Sequence, residues 1–230
     1  MSDFWQRYAR VKELNVKAYD RIRREIRAGS TEKELYDKVV DVYRSEGGEE
    51  VAYQGDFISG LRTCGIDGPA TDKVIERGDT VIVDALCAVD GAWCDTTRTF
   101  FCGEPTDEQR KAYGVLLLAL EETSKQLKPG VRACEIFRFM DSLLAKEGYG
   151  GLAHHAGHGL KRSWYEDPYF VAECGTVLEE DMLVALEPGI YLPGRFGMRI
   201  ENNYRVTPSG GENVFGYTLK TEDFILDRER

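Results

Sequence analysis

"DTVIVDALCAVDGAWCDTTRTFF", residues 79–101, has the pattern of two β-strands joined by a turn at Asp90-Gly91. A second stretch, "MLVALEPGIYLPGRFGMRIENNYRVT" at residues 182–207, repeats this pattern and has its turn residues at Pro193-Gly194. Each predicted hairpin carries two acids where packing alone favours apolar side chains. Both the fold and the chemistry of the chain therefore depend on these two hairpins.

Two helices are predicted before each hairpin. Capping boxes indicate helix starts in both halves, at Thr31-x-x-Glu34 and at Thr106-x-x-Gln109. A weak internal repeat relates the halves, since Gly130 follows Gly29 by 101 positions and several neighbours keep the same offset. No linker-like segment separates the two halves.

The sequence thus predicts a single α+β catalytic domain over residues 1–230, with halves of roughly 1–103 and 104–230. The net charge of −10 without a basic block argues against nucleic acid or an anionic membrane as partner. The N-terminus has charges where a signal peptide needs an apolar run, so we expect a cytoplasmic protein. The six cysteines show no C-x-x-C spacing, which favours reduced thiols.

The four acids of the hairpins are arranged in pairs. In sequence, the midpoint between Asp84 and Asp95 falls beside the first turn, and the midpoint between Glu187 and Glu201 is Gly194. Residues so placed face each other across an antiparallel pair, so each hairpin is expected to present two carboxylates roughly 5 Å apart.

Paired carboxylates in an apolar setting repel each other, at a cost of several kcal/mol unless protons or cations neutralise them. Apolar runs precede Asp84 and Glu187, which supports burial. The four acids therefore predict a cation site. The alternative is that some of them are solvated edge residues or pair with Arg98 and Arg199.

All three histidines lie in "AHHAGHGLKRSWYEDP", residues 153–168. His158 is flanked by Gly157 and Gly159, which permit close approach because they lack side chains. Four carboxylates with one imidazole suit manganese, cobalt, iron or zinc, and suit two ions better than one. His155 is expected to be a surface or packing residue.

The blocks "DALCAVDGAWCDTTRTF", "HHAGHG" and "EPGIYLPGRFGMRIE" resemble, in order and spacing, those of the pita-bread metallopeptidases, family M24. This family includes methionine aminopeptidase, aminopeptidase P, prolidase and creatinase-like proteins. The prolidase and aminopeptidase P branch is the most similar, because "EPGIY.PG..G.RIE" and "D.TRTF" are its usual forms. The resemblance implies the pita-bread (creatinase/aminopeptidase) fold, an antiparallel sheet with helices and a pseudo-two-fold internal duplication.

The resemblance also implies a centre of two divalent ions (Mn, Co, Zn or Fe) held by Asp84, Asp95, His158, Glu187 and Glu201. Asp95 and Glu201 would bridge the ions, a metal-bridging hydroxide would attack a carbonyl, and Glu187 would also shuttle the proton. His154 would donate a hydrogen bond to the substrate or be purely structural. Arg199 would lie near the substrate or form an ion pair behind the ligands.

Two positions depart from the family pattern. Tyr165 stands where the peptidases have a catalytic histidine seven residues after the ligand histidine, and Asp67 stands near the position of an upstream histidine. Tyrosine can donate a hydrogen bond but is a poor base at neutral pH. An acid at position 67 would favour a cationic group on the substrate. The N-terminal domain that prolidases usually carry is not expected here.

Three functions remain open. The first is an aminopeptidase or Xaa-Pro dipeptidase acting on short peptides. The second is a creatinase-like or ectoine-hydrolase-like enzyme that cleaves a C–N bond in a small amide or other non-peptide substrate, which the departures at Asp67 and Tyr165 favour. The third is a peptide-binding module without catalysis, which would have no reason to retain five metal ligands. A homodimer is a further option, since relatives often form one.

Overall fold

The computed structural model describes residues 2–49 and 55–227. The first half contains helices α1 (Ser2–Glu25) and α2 (Glu32–Glu46) and strands β1 (Phe57–Ser59), β2 (Thr80–Val89) and β3 (Ala92–Cys102). The second contains α3 (Asp107–Ser124), α4 (Ala133–Lys146), β4 (Gly157–Gly159), β5 (Leu183–Leu186), β6 (Gly189–Leu192), β7 (Phe196–Arg199), β8 (Asn202–Thr207), β9 (Gly210–Asn213) and β10 (Ile225–Leu226). Two short 3-10 helices, Gly60–Gly65 and Thr221–Phe224, complete the elements.

The helix starts agree with the sequence prediction. Thr31 and Thr106 are N-caps of α2 and α3, and both form complete capping boxes. The internal repeat is also visible in the backbone, because equivalent helix starts make the same isolated β-bridge: Thr31 pairs with Val74, and Arg132 pairs with Val177. The two halves therefore share one arrangement of helix pair and hairpin.

The strands form two four-stranded sheets, β1-β2-β3-β10 and β4-β5-β8-β9, and a separate β6-β7 hairpin. The predicted α+β fold with internal duplication is confirmed. The expectation of an antiparallel sheet is incomplete, because β10 pairs with β3 in parallel. This strand comes from the C-terminal segment, which returns to the edge of the first sheet.

Helix α1 holds the first hairpin in place through buried polar contacts. The Asn15 side chain donates hydrogen bonds to the carbonyls of Ala85 (2.7 Å) and Cys94 (3.2 Å), one on each strand. The Tyr19 hydroxyl donates to the carbonyl of Thr96. Because these groups are buried, the bonds fix the position of β2 and β3 against the helix. No helix within residues 2–49 and 55–227 is both long and apolar enough to span a membrane.

Candidate metal centre

The first hairpin supplies two acids from adjacent strands. Its turn at Asp90-Gly91 has positive φ at both residues, 50° and 71°, so the reversal is two residues long. Asp84 consequently pairs with Thr97, and Asp95 pairs with Leu86. The prediction that the two acids are directly opposite each other is wrong, because it centred the reversal one residue too early. They still share a face, since Thr97 and Asp95 are two positions apart.

The second hairpin supplies its acids at an interruption of the ladder. Leu186 pairs with Asn202 on one side of the interruption, and the β6-β7 ladder continues the same register around Gly194 on the other. This is the predicted register. Glu187 and Glu201 lie between the two paired segments and belong to neither. The backbones of Glu187 and Glu201 are therefore adjacent across the hairpin.

His158 lies on β4 and brings its ring to three of these acids. Its Nε2 is 3.5 Å from Glu187 Oε1, 3.7 Å from Glu201 Oε1 and 3.8 Å from Asp95 Oδ2. Gly157 and Gly159, on either side of His158, allow β4 to pack closely against neighbouring backbone. A Cβ at Gly157 would lie 2.0 Å from a carbonyl oxygen of β5, so a larger residue would displace β4.

Three of the four acids have unsatisfied oxygens. Asp95 Oδ1, Glu187 Oε1 and Glu201 Oε1 are buried without a hydrogen-bond partner among the described residues. Burial raises the pKa of Asp84 to about 8, with Arg199 opposing the shift and neighbouring carboxylates adding to it. Burial and adjacent carboxylates also raise the pKa of Asp95 and Glu201. Buried, mutually repelling oxygens without partners fit divalent cations.

The histidines affect the charge of Glu187. Burial raises its pKa, but the contact with His155 and the charges of His158 and His154 outweigh burial and lower the pKa to about 2. Burial lowers the pKa of His158, but the contact with Glu201 and the charge of Glu187 outweigh burial and raise it overall. Without a cation, the raised pKa of His158 therefore lets its imidazole compensate part of the negative charge.

Arg199 is buried behind the acids, and all five of its donors have partners. Its guanidinium donates to Asp56 Oδ2 (2.6 Å), Asp84 Oδ2 (2.9 Å), the Tyr191 hydroxyl (3.2 Å), the Ile66 carbonyl (2.8 Å) and the Thr97 hydroxyl (3.3 Å). Arg199 thus forms ion pairs with Asp56 and Asp84, which is one of the two arrangements that the sequence left open for it. Arg98, by contrast, donates to the carbonyls of Thr97 and Glu201 and to the Asn202 side chain.

The other two histidines and Tyr165 form one wall of the site. His154 already has hydrogen bonds at both ring nitrogens, to the carbonyl of His155 (2.7 Å) and to the Tyr191 hydroxyl (2.9 Å). A hydrogen bond from His154 to a substrate would compete with one of these. The half-exposed Tyr165 ring packs on His158 and His155, with centroid distances of 4.9 and 5.3 Å.

Two residues of the site escaped the sequence analysis. Asp56 is buried beside Arg199 and precedes β1. His155, expected to be a surface or packing residue, lies in the cavity wall, with Nδ1 3.1 Å from Glu187 Oε1. The clustering of three histidines in five positions was the one available signal for His155.

The site opens into a cavity of about 560 Å³. Its walls include all five predicted metal ligands together with His154, Tyr165 and Arg199. Asp67 is also a wall residue and is exposed. A cavity of this volume accommodates a small ligand.

Comparison with known proteins gives a consistent result. The model of metallopeptidase family M24 matches residues 6–208. The Xaa-Pro dipeptidase of Pyrococcus horikoshii is 34% identical over 203 residues, which are 88% of this chain and 57% of the relative. The chain therefore spans a little over half the length of the curated relative that it matches.

Solved structures agree in fold. Prolidase from Pyrococcus furiosus superposes with a TM-score of 0.90 at 32% identity, covering 95% of this chain and 65% of that one. An X-Pro aminopeptidase from Thermotoga maritima gives a TM-score of 0.90 at 31% identity, covering 96% of this chain and 63% of the other. The similarity thus extends over nearly all of the present chain but only part of each relative.

Proposed function

The chain belongs to metallopeptidase family M24, and from this we propose that it is a metal-dependent hydrolase that cleaves short peptides, with Xaa-Pro dipeptides as the first candidates. The observation that carries the proposal is the group of buried carboxylate oxygens without hydrogen-bond partners around His158 Nε2. Such a group is costly to bury unless cations bind it.

We propose that two divalent ions bind the site, with manganese, cobalt, zinc and iron as candidates. Their ligands would be Asp84, Asp95, His158, Glu187 and Glu201, with Asp95 and Glu201 shared by both ions. When bound, such ions polarise a carbonyl group and acidify a bound water. Neighbouring oxygens of the four acids, all reached from one cavity, support this assignment.

The protein's own groups would then position the substrate and move protons. Glu187 is ionised, with a pKa lowered to about 2 despite its burial, and can accept a proton in the cavity. Arg199 would hold Asp84 in place instead of contacting the substrate, because its donors are all engaged. Asp67, exposed on the cavity wall, would attract a cationic group such as the amino terminus of a peptide.

A second candidate is cleavage of a C–N bond in a small non-peptide substrate. Tyr165 favours it, because this residue stands where the related peptidases have a histidine and its ring covers His158 and His155. A phenol can stabilise an oxyanion through a hydrogen bond but cannot replace a base at neutral pH. The roles of His154 and Tyr165 therefore depend on which substrate class is correct.

One assay distinguishes the two candidate functions. The protein is loaded in turn with manganese, cobalt or zinc and offered Xaa-Pro dipeptides, Met-Ala peptides, and small amidines and lactams. We expect hydrolysis of a dipeptide that disappears with a chelator and returns with the metal. Cleavage of an amidine or lactam without any peptide hydrolysis would contradict the peptidase proposal and support the second candidate.

A further inference from the structure

His155 brings an unused nitrogen to the edge of the metal centre. Its Nδ1 is 3.1 Å from Glu187 Oε1, and both atoms are buried. The distance alone would allow a hydrogen bond, yet the two groups lack hydrogen-bond geometry, and within residues 2–49 and 55–227 neither atom has a hydrogen-bond partner. A buried contact of this kind is costly unless a proton or a metal ion compensates both atoms.

The separation of the two atoms fits ligands of one metal ion. Metal–nitrogen and metal–oxygen bonds are roughly 2.0–2.2 Å long, so two ligands of one ion lie about 3.0 Å apart at a right angle and about 3.4 Å apart in a tetrahedron. The His155 to Glu187 distance of 3.1 Å lies between these values. The same carboxylate oxygen is 3.5 Å from His158 Nε2, so two imidazoles flank it.

His154 is the less suitable of the two remaining histidines. Ligand atoms of His154, His155 and Glu187 all lie within 4.8 Å of one another, and together they could hold an ion. Both nitrogens of His154 are already hydrogen-bonded, however, one to the Tyr191 hydroxyl. His155 Nδ1 has no hydrogen bond within the described residues, and the His155 ring contacts the rings of His158 and Tyr165.

We propose that His155 is an additional metal ligand, binding the ion that Glu187 and His158 also bind. This inference rests on the proposed function, since it requires a metal centre. It has a consequence for metal choice. A second imidazole favours borderline ions such as cobalt, zinc and iron over manganese, which prefers oxygen ligands. Removal of His155 is therefore expected to cost cobalt more affinity than manganese.

The test uses the metal-free full chain, titrated with Co²⁺ and with Mn²⁺ against a competing chelator. His155→Ala is compared with wild type and with His154→Ala, which removes the neighbouring imidazole. We expect His155→Ala to weaken one of two Co²⁺ sites by at least about tenfold, the lower end of the loss typical even for an outer-shell partner. The Co²⁺ visible spectrum is expected to change in His155→Ala and not in His154→Ala.

His155→Gln provides a second variant, and circular dichroism checks that both variants fold. Unchanged Co²⁺ affinity and spectrum in folded His155→Ala or His155→Gln would overturn the inference while leaving the proposed function intact. An equal or larger change in His154→Ala would overturn it as well. Wild-type protein that binds neither metal would instead contradict the proposed function itself.

Discussion

The two hairpins hold their acids in different ways. In the first, β2 and β3 form an uninterrupted ladder, and Asp84 and Asp95 lie within the strands. In the second, the ladder stops between its two paired segments, and Glu187 and Glu201 occupy the interruption. The first hairpin thus carries its acids on continuously paired strands, whereas the second carries its acids where strand pairing is interrupted.

The interruption frees backbone groups to bond across the molecule. The Glu201 N–H donates to the carbonyl of Thr97 on the first hairpin (3.0 Å), and the Thr97 hydroxyl donates to Glu201 Oε2 (3.0 Å). Also between the two halves, the Asn203 side chain on β8 donates to the carbonyl of Asp95 on β3 (2.6 Å). The site therefore lies at the junction of the two halves, and neither hairpin forms it alone.

Catalysis is expected to be most sensitive at the interruption. Glu187→Gln removes the proposed proton acceptor and the charge of a proposed metal ligand, so we expect kcat to fall about 10²- to 10⁴-fold, with weaker binding of one ion. Tyr165→Phe removes a single hydroxyl at the cavity wall and is expected to lower kcat by less than about tenfold. Steady-state kinetics on metal-loaded protein measures both effects.

Tyr165→Phe is the matched control, since it changes the same cavity without touching a carboxylate. If both substitutions lowered kcat by the same small factor, the interrupted segment would be no more important for catalysis than the rest of the cavity wall. That outcome would also exclude Glu187 as the proton acceptor.

A smaller effect is expected from the bond that joins the hairpins. Thr97→Val removes the hydroxyl that orients Glu201, while its shape is nearly conserved. Loss of such an outer partner typically weakens metal affinity by about ten- to hundredfold. Chelator competition measures the affinity, and Thr97→Ser, which keeps the hydroxyl, is expected to restore most of it. Affinity that is unchanged in Thr97→Val would mean that the two hairpins contribute independently.

The smallest effect concerns stability. In the metal-free protein the pKa of Asp84 rises to about 8, and those of Asp95 and Glu201 are raised too. The folded chain then binds more protons than the unfolded chain between about pH 4 and pH 8, so the free energy of unfolding falls as pH rises through that window. His154, whose pKa is lowered by burial, opposes this trend only in part.

Thermal melts of the metal-free protein are therefore expected to show a lower Tm at pH 8 than at pH 5. A divalent ion is expected to remove most of this difference, and Asp84→Asn part of it. A metal-free Tm that stays level or increases from pH 5 to pH 8 would contradict the assignment of repulsion to the two acid pairs.

Local signals in the sequence predicted most of the fold. The capping boxes at Thr31 and Thr106 depend on residues three positions apart, and both helix starts were predicted correctly. The register of the second hairpin was also correct. The register of the first was wrong because symmetry between two acids does not fix turn length, whereas the positive φ values at Asp90-Gly91 do.

Contacts between distant segments were harder to predict. Asp56 is a wall residue of the cavity and binds Arg199, which lies 143 positions further along the chain. His155 was given no role because it matches no family motif, and its place beside Glu187 depends on how the loop before β4 packs. Motifs thus indicated the candidate metal ligands, and tertiary packing decided which other residues lie beside them.

The most direct test is a crystal structure of the full chain grown with Mn²⁺, using anomalous scattering to locate the ions. We expect two anomalous peaks between the two hairpins, with Asp84 and Asp95 from the first and Glu187 and Glu201 from the second among the ligands. An absence of peaks there, or ions bound by the acids of one hairpin alone, would contradict this expectation.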